Sequence, residues 1–401
     1  MALSFITPTR PRHLVNNPIR FSLLADADDP VTMEVTIEGS VVYKGVYIPI
    51  VNSPYTNYKV DIAIEDVIRP YMYPTDVGPV HNIIYDADFN YLSVSIKFTQ
   101  RSNTLNYSGN VYNGGIGKRL FRDLYLRGTD IFSHKLLDTS KQFFLTTRTS
   151  GRHITMKENE ICPLFFIAAN KTYSVVTEYG NIFILPAMNP NYLYGLSIES
   201  VRWYSDRLYH KKPSFFGVLI DGQYVFDVTI TSPNPVPHTY IIEFRNSFGV
   251  YERLEVSGRC VSEPEFGEDN AFDRYDETVN DYIEQNERLS IREVINAEFG
   301  YKTLDEFYFA RDMLQSDERR LIDPAGNYYN VRVIAENFSH DLHPRQPGSI
   351  PLKIRFVDTD SCYSPERDDS PPDFYFGEPI WLHGVTNGYG FLFADKPLNT
   401  I

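Results

Sequence analysis

The chain has 401 residues, 42% of them hydrophobic, and its 52 acidic against 38 basic residues give a net charge of −14. This length predicts two or three domains, and the hydrophobic content excludes a chain that stays disordered. The acidic charge argues against binding to phosphates, so we expect no nucleic-acid partner.

The N-terminal hundred residues predict an arm followed by a β-sandwich. Residues 1–20 are rich in Pro, Arg and Asn and read as an extended N-terminal arm. Apolar and polar residues then alternate over 31–37, 58–65 and 92–98, which is the period of strands with one buried face. We therefore predict a first antiparallel β-sandwich domain over 21–100.

A second β-rich domain is predicted over 101–260. Asp221 and Gly222 stand between two apolar runs, which is a strong hairpin signal. The domain ends in 239–258, TYIIEFRNSFGVYERLEVSG, where two alternating runs flank the turn residues Asn, Ser and Gly. This segment predicts a second hairpin.

The composition changes after residue 260. Residues 261–285 are acidic and poor in apolar side chains, and they are predicted to form a linker. A small α+β domain follows over 286–362, in which Thr303 and Glu306 match the capping box of a helix N-terminus. The side chains expected to face the core from this helix are Leu304, Phe307, Tyr308 and Leu314.

Residues 363–401 are predicted to form a C-terminal arm. A spacer rich in Pro and Asp precedes an aromatic stretch that is costly to leave in water. The arm either packs on its own chain or docks on a neighbour, and we predict the second. Its expected interaction residues are Phe374, Tyr375, Phe376, Trp381, Leu382, Tyr389, Phe391 and Phe393. The predicted fold class is thus mainly β: two antiparallel β-sandwich-like domains, a small α+β domain and extended terminal arms.

A glycine-rich loop at 109–119, GNVYNGGIGKR, invites comparison with a nucleotide-binding P-loop. That motif needs a glycine where this chain has Tyr112, and a Ser or Thr where it has Arg119. A flexible loop that enters a helix is the simpler interpretation. No cofactor is predicted.

Two segments carry potential metal ligands. Residues 86–90, DADFN, resemble the start of a calcium loop but lack its later glycine and acidic ligand. Residues 340–343, HDLH, run into a predicted loop rather than rigid elements. Cys162, Cys260 and Cys362 are too few and too scattered for a zinc site or a disulfide framework. We predict no metal and no catalytic residues, and hence no enzyme.

Three stretches resemble one protein family. They are NPIRFSL with YKVDIAIEDVIRPYM, the hairpin EFRNSFGVYE, and FGYKTLDEFYFARDMLQSDERRLID with NVRVIAENFSHD. Their order is similar to that of structural, tail- or baseplate-associated virion proteins of Bacteroidetes tailed phages and prophages. The resemblance implies β-sandwich modules that pack into rings, and therefore a homo-oligomer that contacts other virion proteins. It implies a place in the virion tail after assembly in the host bacterial cytoplasm, and it carries no catalytic residues.

Three classes of function follow from these observations. The leading hypothesis is a structural virion protein that acts by oligomerisation. The alternative is a carbohydrate-binding or host-adhesion β-sandwich protein, and a third is a hydrolase with unidentified carboxylates. The start of the chain has no apolar segment typical of a signal peptide, and no run approaches the ~18 apolar residues of a membrane span, so no membrane partner is expected.

Overall fold

The structure is a computed structural model in two compact units. The first comprises Met1–Ile154, Cys162–Val228 and Asn246–Tyr251, and the second Thr155–Ile161, Thr229–Arg245 and Glu252–Ile401. The fold is mainly β, as predicted. The described residues are 3–6, 9–25, 27–51, 57–72, 82–87, 90–233, 240–268, 270–301, 303–323, 326–335, 337–339 and 349–360.

The first part of the chain builds a β-sandwich. One sheet has the strand order β1-β3-β7-β6 and the other β2-β10-β9-β4-β5. The elements are β1 (Ser4–Phe5), β2 (Arg12–Leu14), β3 (Arg20–Ala25), β4 (Val31–Ile37), β5 (Ser40–Tyr47), β6 (Ile50–Val51), β7 (Tyr58–Ala63), α1 (Glu65–Ile68), a 3-10 turn (Arg69–Tyr71), β8 (Ile84–Asp86), β9 (Tyr91–Gln100) and β10 (Asn103–Tyr112).

The alternating pattern explains this sandwich, because alternate side chains of β3, β4, β7 and β9 enter one shared core. Residues 1–20 depart from the expected extended arm. β1 pairs antiparallel with β3, and β2 pairs parallel with β10, so this segment adds a strand to each sheet. Leu14, Val15 and Ile19 are buried, and their apolar character was masked in the sequence by the surrounding Pro, Arg and Asn.

Two further sheets have the strand orders β11-β17-β16-β13-β14 and β12-β15-β8. Asp221 and Gly222 form the predicted two-residue turn, both with positive φ (51° and 76°). The next elements along the chain are α2 (Lys118–Leu126), a π-helical turn (Phe132–Leu136), β11 (His153–Lys157), a 3-10 turn (Glu158–Glu160), β12 (Leu164–Ile167), β13 (Tyr173–Thr177), β14 (Ile182–Ile184), β15 (Leu193–Leu196), α3 (Ile198–Tyr209), β16 (Phe215–Ile220) and β17 (Gln223–Thr231).

The second unit is organised around a sheet of order β19-β18-β26-β27-β28-β25-β20, which forms one core with α4. Strands β18 and β19 are the hairpin predicted from TYIIEFRNSFGVYERLEVSG. The hairpin was expected in the second β-rich domain, but β18 pairs with β26 of the second unit. The elements are β18 (Tyr240–Arg245), β19 (Tyr251–Val256), β20 (Cys260–Ser262), β21 (Glu265–Phe266), β22 (Ala271–Asp276), β23 (Asp281–Asn286), β24 (Ile291–Arg292), β25 (Val294–Tyr301), α4 (Leu304–Gln315), β26 (Arg319–Ile322), β27 (Tyr328–Ile334) and β28 (Ser349–Phe356).

Helix α4 begins where the capping box predicts, and two of its four expected core residues do pack against the core. Phe307 and Leu314 are partly buried there, whereas Leu304 and Tyr308 are 43% and 51% exposed. The fully buried side chains include Phe309 and Met313, which were not expected. The helix carries two adjacent apolar stripes, and sequence periodicity alone does not choose between them. The sheet packs against the stripe that contains Phe309, whose ring centroid lies 5.1 Å from that of Phe244.

Residues 261–285, expected to be an acidic linker, contain strands β20 to β23. Strands β22 and β23 pair only with each other and form a hairpin, here called the acidic hairpin, in which every residue except the half-buried Asp276 is exposed. Its few apolar residues fall on both faces of the hairpin among charged and amide side chains, so the sequence shows no apolar face typical of a buried strand.

Candidate interaction surface

The predicted C-terminal interaction residues, from Phe374 to Phe393, lie outside the described residues, and their role stays a prediction. The same holds for Cys362 and for the HDLH segment at 340–343.

The glycine-rich loop at 109–119 is explained by close packing. Gly114 has φ +90°, and a Cβ at this position would lie 2.3 Å from the carbonyl carbon of Phe248. The Gly115 amide donates a 2.7 Å hydrogen bond to the carbonyl of Ser247. Gly249, with φ +79°, is pressed in turn against the Asn113 side chain. The loop thus uses its glycines to approach another backbone segment closely.

That segment is the turn of the NSFG motif, and Asn246 organises it. Its Nδ2 donates a 2.8 Å hydrogen bond to the Leu145 carbonyl, and its Oδ1 accepts one of 2.9 Å from the Phe248 amide. The Asn246 amide closes the turn by donating to the Val250 carbonyl at 2.8 Å. The residues that carry the family resemblance here are therefore structural, because they shape one turn and the loop that packs on it.

Of the segment at 86–90, which resembles the start of a calcium loop, residues 86, 87 and 90 are described. Strand β8 ends at Asp86, and the buried Asn90 accepts a 2.8 Å hydrogen bond from the Asn113 amide through its carbonyl. Across the described ranges, no group of three or more His, Cys, Asp or Glu side chains is placed to hold a metal ion. Among the helices of those ranges, none is long and apolar enough to cross a membrane.

Strands β18 and β19 carry a buried ionic network. Arg253 Nε lies 3.0 Å from Glu243 Oε2, and both side chains are at most 4% exposed. Lys157 Nζ lies 2.7 Å from Glu255 Oε1, and the Glu255 side chain is completely buried. Burial makes each charge expensive unless its partner is present, so the pairs fix the register of these strands.

Glu160 completes the network through the backbone. Its Oε1 accepts a 2.8 Å hydrogen bond from the Glu255 amide, and its Oε2 accepts one of 3.2 Å from the Lys157 amide. The sequence reasoning did not identify this network. The available signal was Arg and Glu inside two adjacent apolar strands, where burial demands pairing.

The most exposed apolar stretch of the described residues lies along β5 and β6; residues 40–51 are here called the β5–β6 edge. β5 is the last strand of one sheet of the sandwich and β6 the last strand of the other. The exposed fractions are 67% for Val46, 77% for Ile48, and 64% each for Ile50 and Val51. Two sheet edges joined by two residues thus form one apolar rim.

The inner side of β5 is held in place by two tyrosines. Tyr43 and Tyr47 flank Gly45, where a Cβ would lie 2.7 Å from the Tyr43 ring. Burial and a hydrogen bond with Tyr43 raise the pKa of Tyr47 to about 12, so the Tyr47 hydroxyl stays neutral at pH 7. On the outer side, Lys44 pairs with Glu34 at 2.8 Å. The edge is therefore ordered while its apolar rim remains uncovered by the described residues.

A second edge of the same character is β14, the last strand of its sheet. Ile182 and Ile184 are 60% and 82% exposed. Nearby, the Lys211 ammonium lies 4.8 Å from the centre of the exposed Tyr179 ring. The first unit thus has two open edges that carry β-branched side chains.

Comparisons with known proteins leave the family open. No protein-family model matches the chain. No curated protein matches it either. Solved structures share 8–9% identity with it: a three-Ig-domain fragment of titin (TM-score 0.18, 58% of this chain, 66% of that one), domains 3–5 of Drosophila OTK (0.20, 73% and 93%), and invasin, a bacterial integrin-binding protein (0.19, 74% and 57%). The match spans slightly less than two thirds of the titin fragment, and similarities of this size carry no argument about function.

Proposed function

We propose that the protein is a structural component of a tailed-phage virion, in the tail or baseplate, and that it acts by oligomerising into a ring and contacting other virion proteins. The observation that carries this proposal is the β5–β6 edge. On this proposal the protein acts in assembly rather than catalysis, and it needs no cofactor, metal, nucleic acid or membrane.

An open sheet edge presents unpaired amides and carbonyls to any extended segment of another chain. Proteins that avoid such pairing place charges or prolines along the edge, or cover it. Along residues 40–51 the charge is limited to Lys44, which Glu34 neutralises, and the proline to Pro49. Four neighbouring apolar side chains more than 60% exposed add a hydrophobic driving force for association.

The phage assignment is supported by the sequence resemblance, of which the EFRNSFGVYE hairpin is one part. The structure explains that motif as a packed turn, and a motif with a structural role is what a scaffold protein needs. On this proposal the protein is assembled in the cytoplasm of a host bacterium and resides in the virion tail.

The experiment places a charge on the rim. Replacing Val46→Lys and Ile48→Lys together should convert the oligomer into single chains, measured by light scattering after size-exclusion chromatography, with an unchanged far-UV circular dichroism spectrum. The matched control is Leu208→Lys on α3, which is 60% exposed and belongs to neither β5 nor β6. It should leave the mass unchanged. An edge variant that keeps the parent's mass contradicts the proposal.

The second candidate function is carbohydrate binding or host adhesion. It is favoured by exposed tyrosines of the first unit, since aromatic rings offer apolar faces with a polar tip. Tyr179, Tyr209 and Tyr224 are 44–51% exposed. Binding of the edge variant to a glycan array, lost when these tyrosines are replaced by alanine, would favour this candidate over assembly.

A further inference from the structure

The acidic hairpin, β22 and β23, exposes aromatic side chains from both of its faces. Tyr275 and Tyr282 are 47% and 67% exposed on one face, and Phe272 and Ile283 are 47% and 45% exposed on the other. A two-stranded hairpin is at best marginally stable alone in water. Covering the exposed rings with a second surface would remove their apolar area from water, which is favourable in free energy.

One face of the hairpin combines acid and aromatic groups. Asp273 lies directly opposite Glu284, and Tyr275 lies directly opposite Tyr282, with ring centroids 5.4 Å apart. Like charges in directly opposed positions destabilise a strand pair. A cation between the two carboxylates removes that repulsion, and the tyrosine rings add cation–π attraction. Five acidic residues and one arginine give residues 271–286 a net charge of −4.

Helix α2 presents the complementary surface. Residues 118–127 contain four basic residues and one acidic residue, a net charge of +3 in a chain whose total is −14. Leu120, Tyr125 and Leu126 are 42%, 58% and 73% exposed, while Leu124 is buried. The helix is therefore basic and apolar on its exposed side.

Two arginines of α2 are exposed and suited to binding carboxylates. Arg119 and Arg122 are exposed and lie three residues apart, so they share one side of the helix. Within the described residues neither has an acidic partner, in contrast to Arg127, which pairs with Asp123 at 3.0 Å. A guanidinium binds carboxylates through paired hydrogen bonds and also stacks on aromatic rings.

We propose that α2 of one copy docks on the acidic–aromatic face of the hairpin of a second copy, an inference that rests on the proposed self-assembly. The guanidinium groups of Arg119 and Arg122 lie between Asp273 and Glu284 and over the tyrosine rings. Because the two surfaces differ, each copy binds one neighbour through its α2 and another neighbour through its hairpin. Such head-to-tail contacts close into a ring when the rotation permits.

Charge reversal tests this contact on the full chain. The helix variant carries Arg119→Glu and Arg122→Glu, and the hairpin variant carries Asp273→Arg and Glu284→Arg. Each variant alone brings like charges together, and its self-association should weaken at least tenfold at low salt in sedimentation velocity. An equimolar mixture should recover association, because the reversed helix meets the reversed hairpin and the remaining pair is native. The control, Lys211→Glu with Lys212→Glu, applies the same charge change to another exposed part of the first unit.

The outcomes separate the two proposals. Loss in each variant and recovery in the mixture support docking between copies. If both variants associate like the parent while the β5–β6 edge variant does not, the docking inference is wrong and assembly stands. If the variants lose contact with another virion protein but keep self-association, the hairpin serves that partner and the inference is again overturned. A parent that stays a single chain at every concentration overturns assembly itself.

Discussion

Gly114 and Phe248, 134 positions apart in the sequence, lie so close that a Cβ on the glycine would fall 2.3 Å from the carbonyl carbon of the phenylalanine. This approach joins the glycine-rich loop to the NSFG turn. Two segments that attract attention separately in the sequence are thus halves of one packed structure. The hydrogen bond from the Gly115 amide to Ser247 adds to the contact.

Gly114→Ala should therefore destabilise the protein. The methyl group meets backbone atoms, and alanine is also strained at φ +90°, so we expect a loss of about 2–4 kcal/mol in the free energy of unfolding. Urea denaturation measures it. The matched control is Gly117→Ala, because no atom lies within 4 Å of a Cβ there and φ is −55°. Equal effects at the two glycines would contradict the packing role.

Removing one member of the buried pair Lys157–Glu255 should also be costly. Glu255→Ala leaves an ammonium group without its partner at a side chain only 17% exposed, and we expect a loss of roughly 3–5 kcal/mol. The double change Lys157→Met with Glu255→Met should recover most of it, measured by urea denaturation. The exposed pair Lys44–Glu34 is the control, and Glu34→Gln should leave the curve unchanged. A Glu255→Ala curve that overlays the parent's would mean the network adds nothing.

The N-terminus of α4 offers a smaller, local test. Thr303 Oγ1 accepts a 3.3 Å hydrogen bond from the Glu306 amide, and the Glu306 carboxylate accepts one of 2.8 Å from the Thr303 amide. Thr303→Ala removes the first bond and should cost about 0.5–2 kcal/mol, whereas Thr303→Ser should retain it. Thermal melting of both variants distinguishes them. The capping role fails if serine and alanine behave alike.

His13 should make stability depend on pH. Burial lowers its pKa from the ordinary 6.5 to about 4, and its ring packs near those of Phe21 and Tyr107. As pH falls from 6.5 towards 4, the His13 imidazole binds a proton in the unfolded chain but stays neutral in the folded chain. Stability present above pH 6.5 is therefore lost, by up to about 1.4 kcal/mol per pH unit.

His13→Phe keeps a ring and removes the titration. Its free energy of unfolding should decline less than the parent's between pH 6.5 and pH 5, and the difference between the two profiles isolates this histidine from the carboxylates. Parallel profiles would show that His13 is protonated equally in both states.

Local rules predicted much of the fold. Alternation located the sandwich strands, the Asp221–Gly222 turn and the β18–β19 hairpin, and the capping box located the start of α4. Each of these signals depends on neighbours in sequence, so a single segment contains the information. What the sequence did not reveal depends on distant partners. Phe309 of α4 packs beside Phe244, and the buried Glu255 pairs with Lys157.

The interaction surfaces were harder to predict for the same reason. The sequence drew attention to the aromatic C-terminal segment, which lies outside the described residues. The β5–β6 edge has the composition of an ordinary strand, and strand order alone reveals that β5 and β6 end their sheets. The acidic hairpin lacked a hydrophobic run, so its strands were read as a linker. Exposure is a property of the assembled sheets and cannot be read from one strand.

Self-assembly through the proposed surfaces is open to direct measurement by sedimentation velocity of the full chain across a hundredfold range of concentration. We expect one closed species, a fixed multiple of the single-chain mass, which dissociates when Val46→Lys and Ile48→Lys are introduced. A boundary at the single-chain mass at every concentration would show that the protein does not assemble with itself.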